Sequence, residues 1–156
     1  MEKEQFLSSI YLIIRNEKKE ILLQKRIGTK LWCGFYALPA CHVDKGENPY
    51  DALIREAKEE LDIDLKTSDI LSTFVICRRN NFNDMQPYYD VYFEIDKYSG
   101  TIKINEPGKC AELLWADEDK LPDKMISYEK EALKMKRLEM NNKPFNFGVI
   151  DVDSES

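Results

Sequence analysis

Apolar and β-branched residues occur in short runs near the start of the chain, and polar turns separate these runs. Residues 9–15 (SIYLIIR) and 20–25 (EILLQK) flank the polar segment 16–19. Runs of this length and composition are typical of β-strands, so the pattern predicts a hairpin. A further short strand is predicted at 36–38, because Pro39 cannot donate a ladder hydrogen bond and ends it.

The apolar pattern then changes from strand spacing to helical spacing. Apolar residues recur every three or four positions and form one stripe, which consists of Tyr50, Leu53, Ile54, Ala57 and Leu61. Asn48 can cap this helix, with Pro49 at the first helical position and Asp51 three residues after the cap. The pattern therefore predicts a helix that begins at Pro49 and runs to about Leu61.

The second half of the chain again favours strands. Strands are predicted at 70–78, 88–95, 101–104 and 113–115, and a helix capped by Ser127 is predicted at 127–140. Strands outnumber helices, and the two do not alternate strictly. The order therefore predicts an α+β fold in which a mixed β-sheet lies between α-helices.

Three carboxylates lie close together on the first predicted helix. Because a helix advances about 100° per residue, Glu56, Glu59 and Glu60 fall within an arc of about 100° that borders the apolar stripe. Like charges at this spacing repel each other by a few tenths of a kcal/mol per pair, about 0.2–0.5 kcal/mol. A hard divalent cation with oxygen ligands is the natural group to offset that repulsion.

The acidic helix and the loop before it resemble the signature of the Nudix hydrolases. In that signature a glutamate is followed by seven residues of any kind. Then come Arg-Glu, one apolar residue, one residue of any kind and Glu-Glu. Here Glu47 is followed by seven residues and then by the segment 55–61 (REAKEEL). The segments 36–39 and 112–115 also look like family elements, so the resemblance covers about 9–138.

The resemblance implies a Nudix fold of the MutT-like kind. We interpret residues 1–150 as a single Nudix hydrolase domain and residues 151–156 (DVDSES) as a frayed acidic C-terminal tail.

The resemblance also implies a metal-dependent active site. The cofactor would be Mg²⁺, with Mn²⁺ as a substitute. The implied metal ligands are Glu56, Glu59, Glu60, Glu106 and the backbone carbonyl of Ala40, with Glu112 left open as an alternative to Glu106. Glu59 can also take a proton from the attacking water.

Three further residues receive roles from the same resemblance. Arg55 belongs to the catalytic motif, and its planar fork can brace the loop by pairing with Glu47, on a helix flank away from the metal. Arg26 follows the second strand, where family members place a cation near the substrate phosphates. The alternative for Arg26 is a solvated strand end.

Two glycines of the signature are absent, since Cys41 and Asp62 stand in their places. Asp tolerates the left-handed conformation that ends a helix, so Asp62 is an acceptable replacement. Cys41 lies in the loop that should present a carbonyl to the metal. If its backbone needs a positive φ, the side chain carries strain and shifts the carbonyl that the resemblance assigns to the metal.

The expected reaction is hydrolysis of a nucleoside diphosphate linked to another moiety. The leading hypothesis is a (deoxy)nucleoside triphosphate cleaved to the monophosphate and diphosphate, as in MutT-like housecleaning of oxidised purine nucleotides. A nucleotide-sugar or dinucleoside polyphosphate hydrolase is an alternative. A catalytically weak, ligand-binding Nudix domain is another.

Composition and charge narrow the class of partner. The net charge is -6, which disfavours binding to a nucleic-acid polymer because such binders need a basic surface. No apolar run approaches the roughly 20 residues that a membrane span needs. The chain shows no signal-peptide pattern, and it has one histidine and four cysteines, none of which form a CxxC pair. We therefore expect a cytoplasmic protein with reduced thiols. The expected partner is a nucleotide-type small molecule, and a homodimer is left open.

Overall fold

The computed structural model describes residues 1–138 and 143–156, which form two β-sheets and two α-helices. The elements, in chain order, are β1 (Leu7–Ile14), β2 (Ile21–Arg26), β3 (Tyr36–Ala37), β4 (Ala40–His42), α1 (Pro49–Leu61), β5 (Ile70–Asn80), β6 (Tyr88–Ile95), β7 (Cys110–Ala116), α2 (Ser127–Arg137) and β8 (Phe147–Val152). Short 3₁₀ turns at Thr67–Asp69 and Glu118–Lys120 precede β5 and follow β7.

The larger sheet is mixed, and the smaller sheet is antiparallel. The five-stranded sheet has the order β4-β1-β6-β5-β8, and the three-stranded sheet has the order β3-β2-β7. In the larger sheet, β1 is parallel to β6 and β5 is parallel to β8, whereas the other two pairs are antiparallel. The prediction of an α+β fold with a mixed sheet is confirmed.

Strand β1 shows why the large sheet needs cover on both faces. Ile10 and Leu12 pack into a cluster with Leu53 and other apolar residues of α1. Tyr11 and Ile13 point to the opposite face and pack into a cluster that includes apolar residues of α2. Because successive strand residues point to opposite faces, the nearly continuous apolar run of β1 is the pattern of a strand buried on both sides.

The predicted hairpin between the first two strands is wrong. β1 and β2 belong to different sheets and share only an isolated bridge between Arg15 and Ile21. The turn itself is present, because Asn16 donates its backbone N–H to the carbonyl of Glu20 and accepts from Lys19. The chain therefore reverses at the predicted place, but each strand finds its partners elsewhere in the sequence.

Two other predictions for the second half need correction, and a third falls partly outside the described residues. The segment 101–104 forms no strand, and instead runs beside the end of α1, where Lys103 donates to the carbonyl of Leu61. Ser127 is the first residue of α2 rather than its cap, and its hydroxyl donates to the carbonyl of Ser156. The observed helix ends at Arg137, and the predicted extension to Met140 lies outside the described residues.

The predicted frayed tail at 151–156 is also wrong. Asp151 and Val152 belong to β8, which pairs in parallel with β5, and Val152 is buried in the core. Sequence reasoning also missed strand β4, which pairs with β1. Among the described residues, no helix has the length and apolar character needed to cross a membrane.

Candidate active site

A cleft of about 560 Å³ is lined by residues of both sheets, both helices and the loops between them. The large sheet contributes Tyr11, Arg78 and Tyr88, and the small sheet contributes Gln24 and Arg26. The cleft thus lies where the two sheets face each other, and the acidic face of α1 closes one side of it.

Local sequence signals fix the position of α1. The side-chain oxygen of Asn48 accepts from the backbone N–H of Asp51 at 3.0 Å, and the Asp51 carboxylate accepts from the backbone N–H of Asn48 at 3.1 Å. Pro49 occupies the first turn, and Asp62 ends the helix in the left-handed conformation with φ 56°. The predicted start, end and capping box are therefore confirmed, and so is the acceptable replacement of glycine by Asp62.

Glu56 is the most deeply placed carboxylate of α1. Its side chain is only 3% exposed, and its Oε1 atom has no hydrogen-bond partner among the described residues. Burial, and after it the neighbouring Glu60 carboxylate, raise the pKa of Glu56 to about 9. Two crowded carboxylates with an unpaired buried oxygen are the donor set that suits a hard divalent cation.

The three glutamates do not all converge in this structure. Glu56, Glu59 and Glu60 line the cleft, but within the described parts of the chain no group of three or more His, Cys, Asp or Glu side chains is arranged to hold a metal ion. Glu59 instead accepts a hydrogen bond from Arg55 at 3.2 Å, and its side chain is half exposed. The donor pair Glu56 and Glu60 fits a cation. The role of Glu59 as a metal ligand stays a prediction.

Arg55 connects the helix to the loop before it. Its Nε and Nη2 atoms donate to the two carboxylate oxygens of Glu47 at 2.7 and 2.9 Å, and Nη2 also donates to the carbonyl of His42 at 3.2 Å. The hydrogen bonds from Arg55, together with one from the backbone N–H of Asp44, lower the pKa of Glu47 to about 2. The predicted pairing of Arg55 with Glu47 is present, but Arg55 also contacts Glu59, so its predicted place away from the metal face is wrong.

The Arg55–Glu47 pair should be energetically coupled. We expect Arg55→Ala and Glu47→Ala each to lower stability and metal affinity, and the double variant to lose less than the sum of the two. The reason is that each single substitution already removes the same bidentate contact. A double-mutant cycle by thermal unfolding checks this, with metal affinity measured in parallel. Strictly additive losses would contradict a brace between loop and helix.

Cys41 does not have the strained backbone that a glycine position suggested. It lies in strand β4 in register with Ile10, which is an extended conformation that any residue adopts. Its Sγ atom lies 3.9 Å from the carbonyl of Ala52 and 3.7 Å from Nη2 of Arg55. Burial raises the pKa of the Cys41 thiol, which therefore stays protonated at neutral pH. Ala40, the predicted carbonyl ligand, lines the cleft beside it.

Arg26 lines the cleft, whereas Glu106 and Glu112, the two candidates for a further metal ligand, do not. Arg26 donates from Nη2 to the carbonyl of Leu31 at 3.3 Å, and keeps a buried Nε without a described partner. Glu106 pairs with Lys109 at 3.3 Å, and Glu112 contacts the hydroxyl of Tyr36. The choice between them stays a prediction.

Sequence reasoning missed several residues of the cleft. Arg78 lies with its guanidinium carbon 4.2 Å from the ring centre of Tyr88 and 4.4 Å from that of Tyr128. Gln24 and Lys109 also line the cleft. The sequence predicted only a strand at 88–95, which contains Tyr88, and gave no role to these other cleft residues. Tyr88 and Tyr128 are buried and also form part of the cleft wall.

Glu129 is a buried acid beside the cleft. Its Oε1 atom accepts from the backbone N–H of Leu38 at 2.7 Å, and the side chain is 1% exposed. Burial raises its pKa to about 8, whereas the Leu38 N–H and the Arg26 and Arg78 cations lower it and Asp90 raises it. Folding therefore favours the protonated form of Glu129.

This burial predicts a pH dependence of stability. The unfolded chain releases the Glu129 proton near 4.5, and the folded chain holds it up to about 8. The folded state binds more protons in that window, so its stability falls as the pH rises from about 4.5 to about 8. Glu129→Gln keeps the acceptor for Leu38 and should be more stable than the parent at pH 8 by at least about 1.4 kcal/mol, the equivalent of one pKa unit.

Urea unfolding of both proteins at pH 4, 6 and 8 checks the prediction. Other titrating groups are common to the two proteins, so the difference between them isolates Glu129. The two should be similar at pH 4, where the carboxyl is protonated in either state. Equal stability at every pH would show that Glu129 titrates normally in the fold.

The chain is similar to a known protein family and to relatives in two bacteria. The family model described as "NUDIX domain" matches residues 6–136. The putative 8-oxo-dGTP diphosphatase of Bacillus subtilis (strain 168) is 27% identical over 128 residues, which are 82% of this chain and 78% of that protein. The RNA pyrophosphohydrolase of Ruthia magnifica subsp. Calyptogena magnifica is 31% identical over 84 residues, and this chain spans only 45% of its length.

Solved structures agree with the fold. The MutT NUDIX hydrolase from Burkholderia pseudomallei superposes with a TM-score of 0.71 at 26% identity, covering 84% of this chain and 98% of that one. The MutT protein from Methanosarcina mazei Go1 gives a TM-score of 0.69 at 21% identity, covering 89% and 100% of the two chains. At that identity the second likeness concerns the fold alone.

Proposed function

The chain belongs to the NUDIX hydrolase family, and on that premise we propose that it hydrolyses a diphosphate linkage in a small nucleotide. The favoured reaction converts a (deoxy)nucleoside triphosphate, with oxidised purine nucleotides as first candidates, to the monophosphate and diphosphate. The observation that carries the proposal is the buried Glu56, whose unpaired Oε1 lies beside Glu60 in a cleft that also contains Arg26.

NUDIX hydrolases generally use divalent metal ions, and we propose Mg²⁺ with Mn²⁺ as a substitute. Glu56, Glu59 and Glu60 would hold it, with the Ala40 carbonyl and Glu106 as further proposed ligands. When bound, such an ion neutralises the charge of the diphosphate that carboxylates alone would repel. The unpaired oxygen of Glu56 supports this assignment, because a buried carboxylate oxygen without a hydrogen bond needs another partner.

The remaining residues position the substrate and move the proton. Arg26 can donate from its unpaired Nε to a phosphate oxygen, and its fixed charge attracts the anionic chain. Arg55 holds the loop through its hydrogen bonds to Glu47, and its Nη1 atom orients Glu59. Glu59, half exposed and beside Arg55, is the group we propose to accept a proton from the attacking water.

The relatives support the choice of substrate class without fixing the substrate. The Bacillus relative, which aligns with most of both chains, is described as a putative 8-oxo-dGTP diphosphatase. The relative described as an RNA pyrophosphohydrolase aligns with less than half of its own length, and the net charge of -6 opposes a polymer substrate. We therefore propose a small nucleotide, with nucleotide sugars and dinucleoside polyphosphates as alternatives. A cytoplasmic location and a homodimer stay predictions.

A substrate screen tests the proposal. The purified protein is incubated with dGTP, 8-oxo-dGTP, a nucleotide sugar, a dinucleoside tetraphosphate and a 5′-triphosphorylated RNA, each with Mg²⁺, with Mn²⁺ and with a chelator. We expect metal-dependent hydrolysis of a nucleoside triphosphate to a nucleoside monophosphate and inorganic diphosphate. Preferred cleavage of the RNA would replace the small-nucleotide proposal. The absence of turnover on every compound would favour a ligand-binding domain.

A further inference from the structure

Gln24 is a buried amide with an unused hydrogen-bond donor. Its side chain is 7% exposed and lines the cleft, and its Nε2 atom has no hydrogen-bond partner in the part of the chain that the structure describes. An unsatisfied buried donor is costly, so such groups in folded proteins call for an explanation. A ligand that enters the cleft can supply the missing acceptor.

The strand register places Gln24 toward the acidic helix. Leu22 and Gln24 lie two residues apart in a regular part of β2, opposite Trp115 and Leu113 of β7, so the two side chains project from one face. Leu22 packs in the same cluster as Leu53 of α1. Gln24 therefore continues that face into the cleft, on the side that carries the carboxylates of α1.

The groups around Gln24 define what kind of acceptor it can meet. Glu56 and Glu60 line the same cleft, but among the described residues neither carboxylate accepts a hydrogen bond from the Gln24 amide. Arg26, also on β2, has a second buried donor, its Nε atom, which finds no partner within residues 1–138 and 143–156. Two unsatisfied donors from one strand, beside an acidic pair, match an oxygen-rich anion that enters together with a divalent cation.

We propose that the Gln24 amide donates a hydrogen bond to a phosphoryl oxygen of the substrate and is a phosphate-binding residue of the cleft. The inference rests on the proposed function, because it assumes a substrate with a diphosphate. It adds a neutral donor to the cationic Arg26, so that the phosphate chain is held by a directional contact as well as by charge. The direction matters because an amide N–H fixes one oxygen, whereas charge alone does not.

The test measures binding of methylenediphosphonate, whose P–C–P linkage cannot be hydrolysed. Calorimetric titrations at a fixed Mg²⁺ concentration compare the parent with Gln24→Met and Gln24→Glu. Gln24→Met should weaken binding about tenfold or more, as expected for a lost hydrogen bond to a charged acceptor. Gln24→Glu should weaken it further, because it replaces the donor with a third carboxylate. Without ligand, Gln24→Met should melt at the same or a higher temperature, since it removes an unsatisfied buried donor.

Lys25→Met is the matched control, because Lys25 is the next residue of β2 and its side chain is 41% exposed and pairs with Glu112. That variant should bind methylenediphosphonate within about twofold of the parent, since an exposed charge is screened. Equal affinity of the parent and Gln24→Met would overturn the inference, as would no binding by the parent. So would a lower melting temperature of Gln24→Met, which would mean that the amide has a structural partner.

Two further outcomes separate this inference from the proposed function. If Gln24→Met binds methylenediphosphonate normally but binds a free nucleoside more weakly, Gln24 contacts the base and the inference is wrong while hydrolysis stands. If binding depends on Gln24 but the parent hydrolyses no nucleotide in the substrate screen, the phosphate contact stands and the proposed hydrolysis is wrong.

Discussion

Replacing Asp90 with alanine should lower the free energy of unfolding by about 3–5 kcal/mol. Asp90 is fully buried in β6, and its two carboxylate oxygens accept from Nε and Nη2 of Arg78 at 2.6 and 3.1 Å. The Arg78 side chain is only 4% exposed. Removal of the carboxylate would leave a nearly buried guanidinium charge without its counter-charge.

The aromatic neighbours of Arg78 cannot replace the lost carboxylate. The rings of Tyr88 and Tyr128 lie on the guanidinium, but a cation–π contact contributes about 0.5–2 kcal/mol, which is less than the expected loss. Both contacts are also present in the parent protein, so they do not add stability to the variant. Urea unfolding followed by circular dichroism measures the difference between Asp90→Ala and the parent.

The neighbouring ion pair provides a matched control. Arg79 is the next residue of β5, and it pairs with Asp151 of β8 at 2.7 Å with side chains that are 60% and 44% exposed. Because water and salt screen an exposed pair, Asp151→Ala should lose far less stability than Asp90→Ala. Similar losses for the two variants would show that burial does not set the importance of the Arg78–Asp90 pair.

Helix α1 could be predicted from the sequence because its signals are local. The Asn48–Asp51 capping box, Pro49 and the left-handed Asp62 all lie within a few residues of the helix ends. The spacing of Glu56, Glu59 and Glu60 then follows from helix geometry. The apolar stripe was less accurate, since Tyr50 and Ile54 are exposed at 48% and 37% whereas Glu56 is buried. The tertiary packing, rather than residue polarity, selected the buried face.

Strand pairing could not be predicted because it depends on distant residues. The turn at Asn16 was identified correctly, but a turn does not decide whether its flanking strands pair with each other. β8 was missed because the acidic residues near the end of the chain are not typical of a strand. Its partner β5 lies far earlier in the chain, and the register pairs Val75 with Phe147. Long-range pairing of this kind leaves no local pattern.

The same limit applies to the inner part of the cleft. Arg78 and Asp90 come together because Ile76 pairs with Asp90 and Arg78 pairs with Tyr88, which makes the two charged residues diagonal neighbours on one face. Nothing in the sequence fixes that register. Gln24 gave no signal either, since a single polar residue in a strand is ordinarily solvated, and only its burial in the structure makes it informative.

The arrangement of the three glutamates determines what each substitution can reveal. Glu56 is buried beside Glu60, so a change there also alters packing. The side chain of Glu59 is 51% exposed. The one described hydrogen bond of that side chain comes from Arg55 at 3.2 Å. A glutamine at position 59 keeps the shape and can still accept from Arg55. The substitution therefore tests the chemistry of the carboxylate with little effect on the fold.

Glu59→Gln is expected to reduce turnover on the best substrate by at least about 10²-fold, the scale of a lost general acid–base contribution. An amide cannot take a proton from the attacking water, and it is a poorer ligand for a hard cation. The melting temperature should stay close to that of the parent, because like-charge repulsion on α1 is relieved rather than increased. Glu131→Gln, on the exposed face of α2, is the control for a loss of one negative charge and should keep full activity. Steady-state assays with Mg²⁺ measure all three proteins, and normal turnover by Glu59→Gln would move the role of base to another residue of the cleft.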